Sequence, residues 1–351
     1  MIKLLKYYIK KKWPFFLFVL LSGFVINFII LLTNGDYFYD GPYGDMHVYN
    51  PPLVFLTCYA PIISTLFPII NFSFKMKKIN VDQMYSLPIK RKKLFLATLL
   101  FTLIEVFLPI TILFAQSYID VLLSNHHFVL KYFFVYYLFL LLASLSLCCI
   151  VSFIYCRNNT VSDGVVNIAM IAIFPLMAVY AMDLLIHFNN DFIDRFFNGV
   201  YYSIYSPFTN INDLFFPLIK GGVLGGIHSK NNDVIIIMFI VFVLVAIASF
   251  FGLLYFANKD KAENTMQKST SAFSYKVMVP IFMISSFVLL YTSLITAIGL
   301  VSIGGIGLYC FYNRTIKLHW KQWVLLGVYL IVGFILAYIA YEIGSNTLYC
   351  Y

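Results

Sequence analysis

Eight apolar runs, most of them near twenty residues long, divide this chain: about 13–33, 53–74, 94–118, 133–155, 164–187, 234–256, 277–312 and 323–343. A helix rises about 1.5 Å per residue, so about 20 residues cross a ~30 Å hydrocarbon core. The solvent of these runs is therefore lipid. The 351 residues are 62% hydrophobic and only 11% charged, far from the roughly one-quarter charged of a soluble domain. Length alone would allow two soluble domains, but no polar stretch is long enough to be one. The expected fold class is all-α, a polytopic integral membrane protein. Trp13–Leu32 is too long for a usual signal-peptide core and no small-x-small cleavage site follows, so it reads as a retained first span.

The run 277–312 is too long for one span and slightly short for two. Charge settles its parity, because Lys and Arg are retained on the cytoplasmic side. With a cytoplasmic N-terminus and a tight hairpin at 277–312, the inner segments hold five cations in 1–12, seven in 75–93, Arg157, four in 257–276, and Arg314, Lys317 and Lys321. Only Lys131, Arg195, Lys220 and Lys230 are outside. The expectation is a six-span core plus about three C-terminal spans, in the cell (plasma) membrane. The hairpin turn falls near Thr292–Thr296, and Gly299, Gly304, Gly305 and Gly307 would permit close helix packing.

The expected divisions are an amphipathic interfacial helix at 1–12, a core at 13–256, a cytoplasmic loop at 257–276 and additional spans at 277–351. The core includes a cytoplasmic loop at 75–93 and an outer region at 189–232. That outer region is crowded with rings and interrupted by Pro207, Pro217 and glycines. A solvated loop needs no such aromatics. Short interfacial or reentrant helices do, since rings settle at headgroup level and broken backbone must be buried in protein or line a cavity.

Few residues carry obvious chemistry. The net charge of +9 is topological rather than a nucleic-acid footprint. The closest approach to an ATP-binding loop, Gly221 to Gly226, continues Ile227-His228 and lacks the phosphate-gripping Lys, so no ATP hydrolysis is expected from this chain. The six cysteines have neither zinc nor redox spacing and read as small buried hydrophobes. His126 and His127 point apart on any regular element and have no third ligand spaced to join them, so no metal is expected. Asp183 and His187 share a helix face near the outer end of the fifth run, as an interfacial contact or a proton relay. Glu105 lies mid-run in "LFLATLLFTLIEVFLPITILF", where an ionised side chain costs on the order of 3 kcal/mol. It must face a polar partner or a wetted cavity, so it is the candidate translocation-path residue. Pro109, four residues on, removes the N–H that would bond to its carbonyl and is expected to bend the helix.

The loop "KMKKINVDQMYSLPIKRKK" interleaves Val81, Met84, Tyr85, Leu87 and Ile89 with its cations. A purely solvated loop explains the lysines but not these apolar residues. Val81 shares a helical face with Met84 or Tyr85, and Pro88 ends or bends that helix. A short surface helix with an apolar face is a docking element for a partner protein.

These residues carry a resemblance. "DQMYSLPIKRKKLF" is similar to the Ser-Leu-Pro-x-x-Arg stretch in permease subunits of type-2 ABC exporters, matching at Asp82, Ser86, Leu87, Pro88 and Arg91. It resembles especially the Gram-positive exporters of peptides and antimicrobial peptides, such as the phenol-soluble modulin exporter family. "FANKDKAENTMQ" adds a weaker likeness at Lys261 and Glu263 and departs at Asn264-Thr265. The resemblance covers roughly residues 1–265. It implies that 75–93 is a coupling loop, with Val81, Asp82, Met84, Tyr85, Leu87, Pro88 and Arg91 facing an ABC ATPase subunit, present in two copies. It further implies a second permease chain, identical or sister, and ATP and Mg held on the ATPase rather than here. Phe197, Tyr201, Tyr205, Pro207, Phe215 and Phe216 would form the outer gate. The implied activity is export of an amphipathic peptide or lipid-like molecule. Two other classes stay open: a proton- or ion-coupled secondary transporter using Glu105 or Asp183/His187, and a membrane-embedded enzyme.

Overall fold

A computed structural model describes residues 2–33, 37–40, 46–49, 51–123, 130–172, 208, 232–259, 263, 265–267, 275–289 and 294–348. Among them ten α-helices are seen, with a one-turn 3-10 helix (Ser73–Met76) joining the second to the third: α1 (Ile2–Thr33), α2 (Pro51–Phe72), α3 (Lys78–Tyr85), α4 (Arg91–Leu123), α5 (Leu130–Cys156), α6 (Val161–Ala172), α7 (Asn232–Ala257), α8 (Tyr275–Leu289), α9 (Leu294–Asn313) and α10 (Trp320–Leu348). Six of them, α1, α2, α4, α5, α7 and α10, are long and apolar enough to cross a bilayer. This is the architecture of an α-helical membrane protein. The one departure from all-helical structure among the described residues is a hairpin of β1 (Tyr37–Asp40) and β2 (Met46–Tyr49), paired antiparallel from Tyr37↔Tyr49 to Asp40↔Met46.

The expected separate helix at 1–12 runs without a break into the first span as α1, which continues through Pro14. Likewise α4 continues unbroken past Pro109. The fifth run is described only as α6, and the rest of 164–187 lies outside the described residues, as do His126, His127, Asp183 and His187. All six expected outer-gate residues also lie outside them.

The chain divides into two compact units. In the first, α1, α2 and α4 pack together and α5 joins through its rings and hydroxyls. Phe114 of α4 meets Phe133 and Tyr137 of α5 with centroids 5.2 and 4.5 Å apart. Thr57 of α2 and Tyr136 of α5 share a hydrogen bond of 3.1 Å. Phe139 meets Phe239 of α7 at 5.0 Å. The hydroxyls of Thr57, Ser64, Thr98, Thr102, Ser117, Ser144 and Ser152 donate to the carbonyl four residues back. Each of these seven hydroxyls is thereby satisfied within its own helix, as a lipid environment demands.

In the second unit, the run 277–312 is two helices, α8 and α9. The ring of Tyr275 at the start of α8 lies 4.2 Å, centroid to centroid, from that of Tyr312 near the end of α9, so the two are antiparallel. Their core with α10 is Val279, Met283, Phe287, Val301, Tyr309, Leu326 and Ala337. A Cβ on Gly304 would meet Phe282 at 3.1 Å, and one on Gly305 would meet Met283 at 2.6 Å and Leu326 at 2.9 Å. Among the described residues nothing lies within 4 Å of a Cβ on Gly299 or Gly307. Of the four glycines expected at helix contacts, therefore, only two lie at one, because the other two point away from both neighbours.

At one end of this unit, Thr160 caps α6 by accepting from the Asp163 N–H at 3.2 Å. Asp163, 4% exposed, then pairs with Arg314 at 3.8 Å. Arg314 donates to the Met266 carbonyl at 3.1 Å, and the Met266 N–H donates to the Asn159 carbonyl at 3.0 Å. Three turns, after α5, before α8 and after α9, are thus clasped together.

Candidate functional site

The polar centre of the first unit is built around Asn71, at the C-terminal end of α2. Its side chain can offer two N–H donors and one carbonyl acceptor, and all three are used. One N–H donates to Glu105 Oε2, the other to Thr102 Oγ1 at 2.9 Å. The carbonyl Oδ1 accepts from Lys12 Nζ at 2.6 Å. Asn71 therefore bridges an ammonium on α1 to a carboxylate on α4.

Local structure explains why Lys12 reaches this place. The last carbonyls of a helix have no intrahelical N–H to accept from, and the C-terminus carries partial negative charge. Lys12 Nζ also donates to the Ile70 carbonyl at 3.1 Å, which takes the Ser73 hydroxyl at 2.7 Å as well. The lysine thus caps α2 while its charge attracts Glu105 across the amide. Glu105 is 3% exposed. Its requirement for a polar partner is met by Asn71 directly and by Lys12 at one remove.

Thr98, Thr102 and Glu105 follow at i, i+4 and i+7, one face of α4. Tyr8, four residues before Lys12 and on the same face of α1, extends the ladder. Its ring stacks on Phe101 with centroids 5.7 Å apart. Its hydroxyl lies 3.2 Å from Thr98 Oγ1 and 4.0 Å from the Met84 sulfur. The ladder therefore runs from α3 at the surface to Glu105 inside.

The loop residues divide between two sides. Val81 is 1% exposed and Met84 is half-buried beside Tyr8, so this apolar face packs on the chain itself. Tyr85 lies under the Arg91 guanidinium, 4.5 Å from the ring centroid, an arrangement that holds the loop's two ends together. Asp82 is exposed, and its carbonyl accepts from the Ser86 N–H at 3.1 Å. Pro88 is exposed. The outward apolar residues are Ile79, 80% exposed, with Leu87 and Ile89, each 37% exposed.

Sequence reading singled out Glu105 but missed Asn71, Lys12 and Tyr8. An Asn inside an apolar run and a Thr98–Thr102–Glu105 stripe are signals that could have found part of the ladder. A second buried amide contact lies elsewhere in the unit, where Asn27 Nδ2 of α1 donates to Gln116 Oε1 of α4 at 3.1 Å. Among the described residues no three His, Cys, Asp or Glu side chains come together as a metal site. No protein-family model matches the chain, and comparison with curated proteins and with solved structures finds no match.

Proposed function

We propose that this chain is the permease subunit of an ATP-driven exporter for an amphipathic peptide or lipid-like molecule, driven by a separate ATPase subunit that holds ATP and Mg. It works in the plasma membrane as one of two permease chains, with two ATPase copies. The N-terminus and the 75–93 loop are cytoplasmic, and α8, α9 and α10 complete nine spans. The observation that carries the reading is the outward apolar set Ile79, Leu87 and Ile89, flanked by Lys77, Lys78, Lys90, Lys92 and Lys93 on a short surface helix and the bend after it. The cations hold this element at an anionic membrane surface, each contributing roughly 1 kcal/mol, and the three apolar side chains fit a groove on the ATPase.

The test is copurification with the ATPase and substrate-stimulated hydrolysis in the reconstituted complex. Ile79→Asp or Leu87→Asp abolishes ATPase retention in a correctly inserted permease, whereas Lys92→Gln and Lys93→Gln do not. Retention of the ATPase by both Asp variants would leave the loop as a topology signal only. The buried Lys12–Asn71–Glu105 arrangement favours a second reading, an ion-coupled transporter. Transport that continues without any ATPase and follows an imposed proton gradient would select it.

A further inference from the structure

We infer that the turn 314–319 and the first turn of α10 form a binding surface for anionic phospholipid. Ile316 and Trp320 enter the boundary between headgroups and acyl chains, and Lys317 and Lys321 take the lipid phosphates. The inference rests on α10 crossing the membrane and not on any ATPase. The apolar span of α10 begins at Trp320. The residues just before it therefore fall in the headgroup layer, which is roughly 5–8 Å deep on each side. Indole rings and the ends of long cationic side chains settle at that level.

The turn is held firmly, in a form that shows apolar side chains outward. At the end of α9 the Arg314 and Thr315 N–H groups donate to the Phe311 and Cys310 carbonyls, each at 3.3 Å. These bonds close the helix around left-handed Arg314. At the start of α10, Gln322 Oε1 accepts from the His319 N–H at 3.0 Å and from Asn313 Nδ2 at 2.8 Å. One amide thus ties both helix ends together. Leu318 packs on the core of the unit. Ile316, two residues earlier, is instead 91% exposed, and Trp320 is 78% exposed. Trp320 heads the exposed apolar face that α10 continues through Trp323, Val324, Val328 and Ile331. Ile316 carries exposed apolar surface past the end of that span. Side chains already fixed in place lose little freedom on entering lipid.

Charge selects the kind of lipid. No Asp or Glu occurs between Glu263 and Glu342. Arg314 is committed to Asp163 and to the Met266 carbonyl. Lys317 and Lys321 are exposed and meet no carboxylate among the described residues. Two such cations beside two apolar side chains complement an anionic headgroup on its acyl chains. A protein partner would first have to displace headgroups to reach Trp320 at the end of the span.

The experiment places the full permease in nanodiscs of mixed phosphatidylcholine and phosphatidylglycerol. Trp13→Phe/Trp323→Phe leaves Trp320 as the single indole of the three. Brominated acyl chains on one lipid or the other report contact, and aqueous iodide reports solvent. Trp320 is shielded from iodide and is quenched by bromines in the upper acyl chain. It prefers brominated phosphatidylglycerol by about fivefold or more, the factor that one surface cation supplies. Lys317→Gln/Lys321→Gln brings that preference close to one at an unchanged melting temperature, and Ile316→Asp raises iodide access. Equal quenching by the two lipids in the parent protein overturns the inference and leaves an ordinary interfacial tryptophan. Full quenching by iodide with none by bromine overturns it in favour of a solvated turn. Shielding found only in preparations that carry a bound ATPase overturns it in favour of a protein partner. Both faces of the disc carry the same lipids, so the result does not depend on which side the turn occupies. Labelling of a cysteine at Lys317 from outside the cell would overturn the proposed orientation alone.

Discussion

Arg314 donates from Nη1 to the main-chain carbonyl of Met266 at 3.1 Å, and both residues hold left-handed backbone, with φ of 55° and 67°. The contact holds the turn before α8 and the turn after α9 together at one end of the second unit. A single span across 277–312 would separate them.

The first prediction follows from that contact. In a background without native cysteines, single cysteines at Gln267, Lys90 and Lys317 stay unlabelled by an impermeant reagent added outside. Cysteines at Asp45, Lys220 and Tyr349 react. Opposite labelling of positions 267 and 317 would remove the α8–α9 hairpin.

The strained backbone at Arg314 gives a second. Arg314→Ala and Arg314→Gly both lose the guanidinium contacts to Met266 and Asp163, but only Ala retains a Cβ at positive φ. Left-handed backbone costs a residue with a Cβ roughly 1–2 kcal/mol, so the Gly variant is the more stable of the two in thermal unfolding of purified protein. Equal melting temperatures would mean that the turn relaxes once the guanidinium is gone.

The glycines of α9 separate in the same assay. Gly305→Ala drives a methyl into Met283 and Leu326 and lowers stability by about 1–3 kcal/mol. Gly307→Ala meets nothing and raises it by up to about 1 kcal/mol through helix propensity.

Asn27 and Gln116 make one of the two hydrogen bonds that facing amides can make, leaving Asn27 Oδ1 and Gln116 Nε2 buried without partners among the described residues. Asn27→Leu strands the whole Gln116 amide and costs about 1–2 kcal/mol. The double variant Asn27→Leu/Gln116→Leu removes both polar groups and recovers that loss. A double-mutant cycle in detergent reads the difference, and strict additivity would show that the amides act independently.

Removing one member of the central ladder has a larger effect than removing two. Lys12→Met or Glu105→Leu alone leaves a buried charge uncompensated, a loss of about 3–5 kcal/mol. Glu105→Gln loses less than Glu105→Leu, because its carbonyl still accepts from Asn71. Thermal unfolding of the singles and of Lys12→Met/Glu105→Gln checks the order.

Six of the expected spans, those of α1, α2, α4, α5, α7 and α10, were legible as apolar runs because a bilayer asks one length and one polarity of any helix that crosses it. Even the division of 277–312 followed from length and charge. Glu105 announced its need for a partner, but not which one: Asn71 is 34 residues away, and Lys12 a further 59. No local pattern encodes such a meeting. Lys12 reads as a surface cation because it closes the basic stretch 1–12 beside Lys10 and Lys11; only the open carbonyls at the end of α2 distinguish it. The β hairpin was readable and overlooked, since "YFYDGPYGDMHVY" places Gly-Pro and Gly-Asp between aromatic runs. Val81 and Ile79 could not be told apart, because periodicity gives a helix its faces without saying which meets its own chain.

The capping of α2 by Lys12 has a consequence in time. During synthesis α1 emerges first, when neither the Ile70 carbonyl nor the Asn71 amide yet exists. At that stage the Lys12 ammonium lacks both oxygens that accept from it in the folded chain, and its cost in apolar surroundings is uncompensated. Only when α2 has followed can Lys12 be drawn down onto its end, and only with α4 does its charge meet Glu105. The seating of α1 thus depends on partners that two later segments of the chain supply.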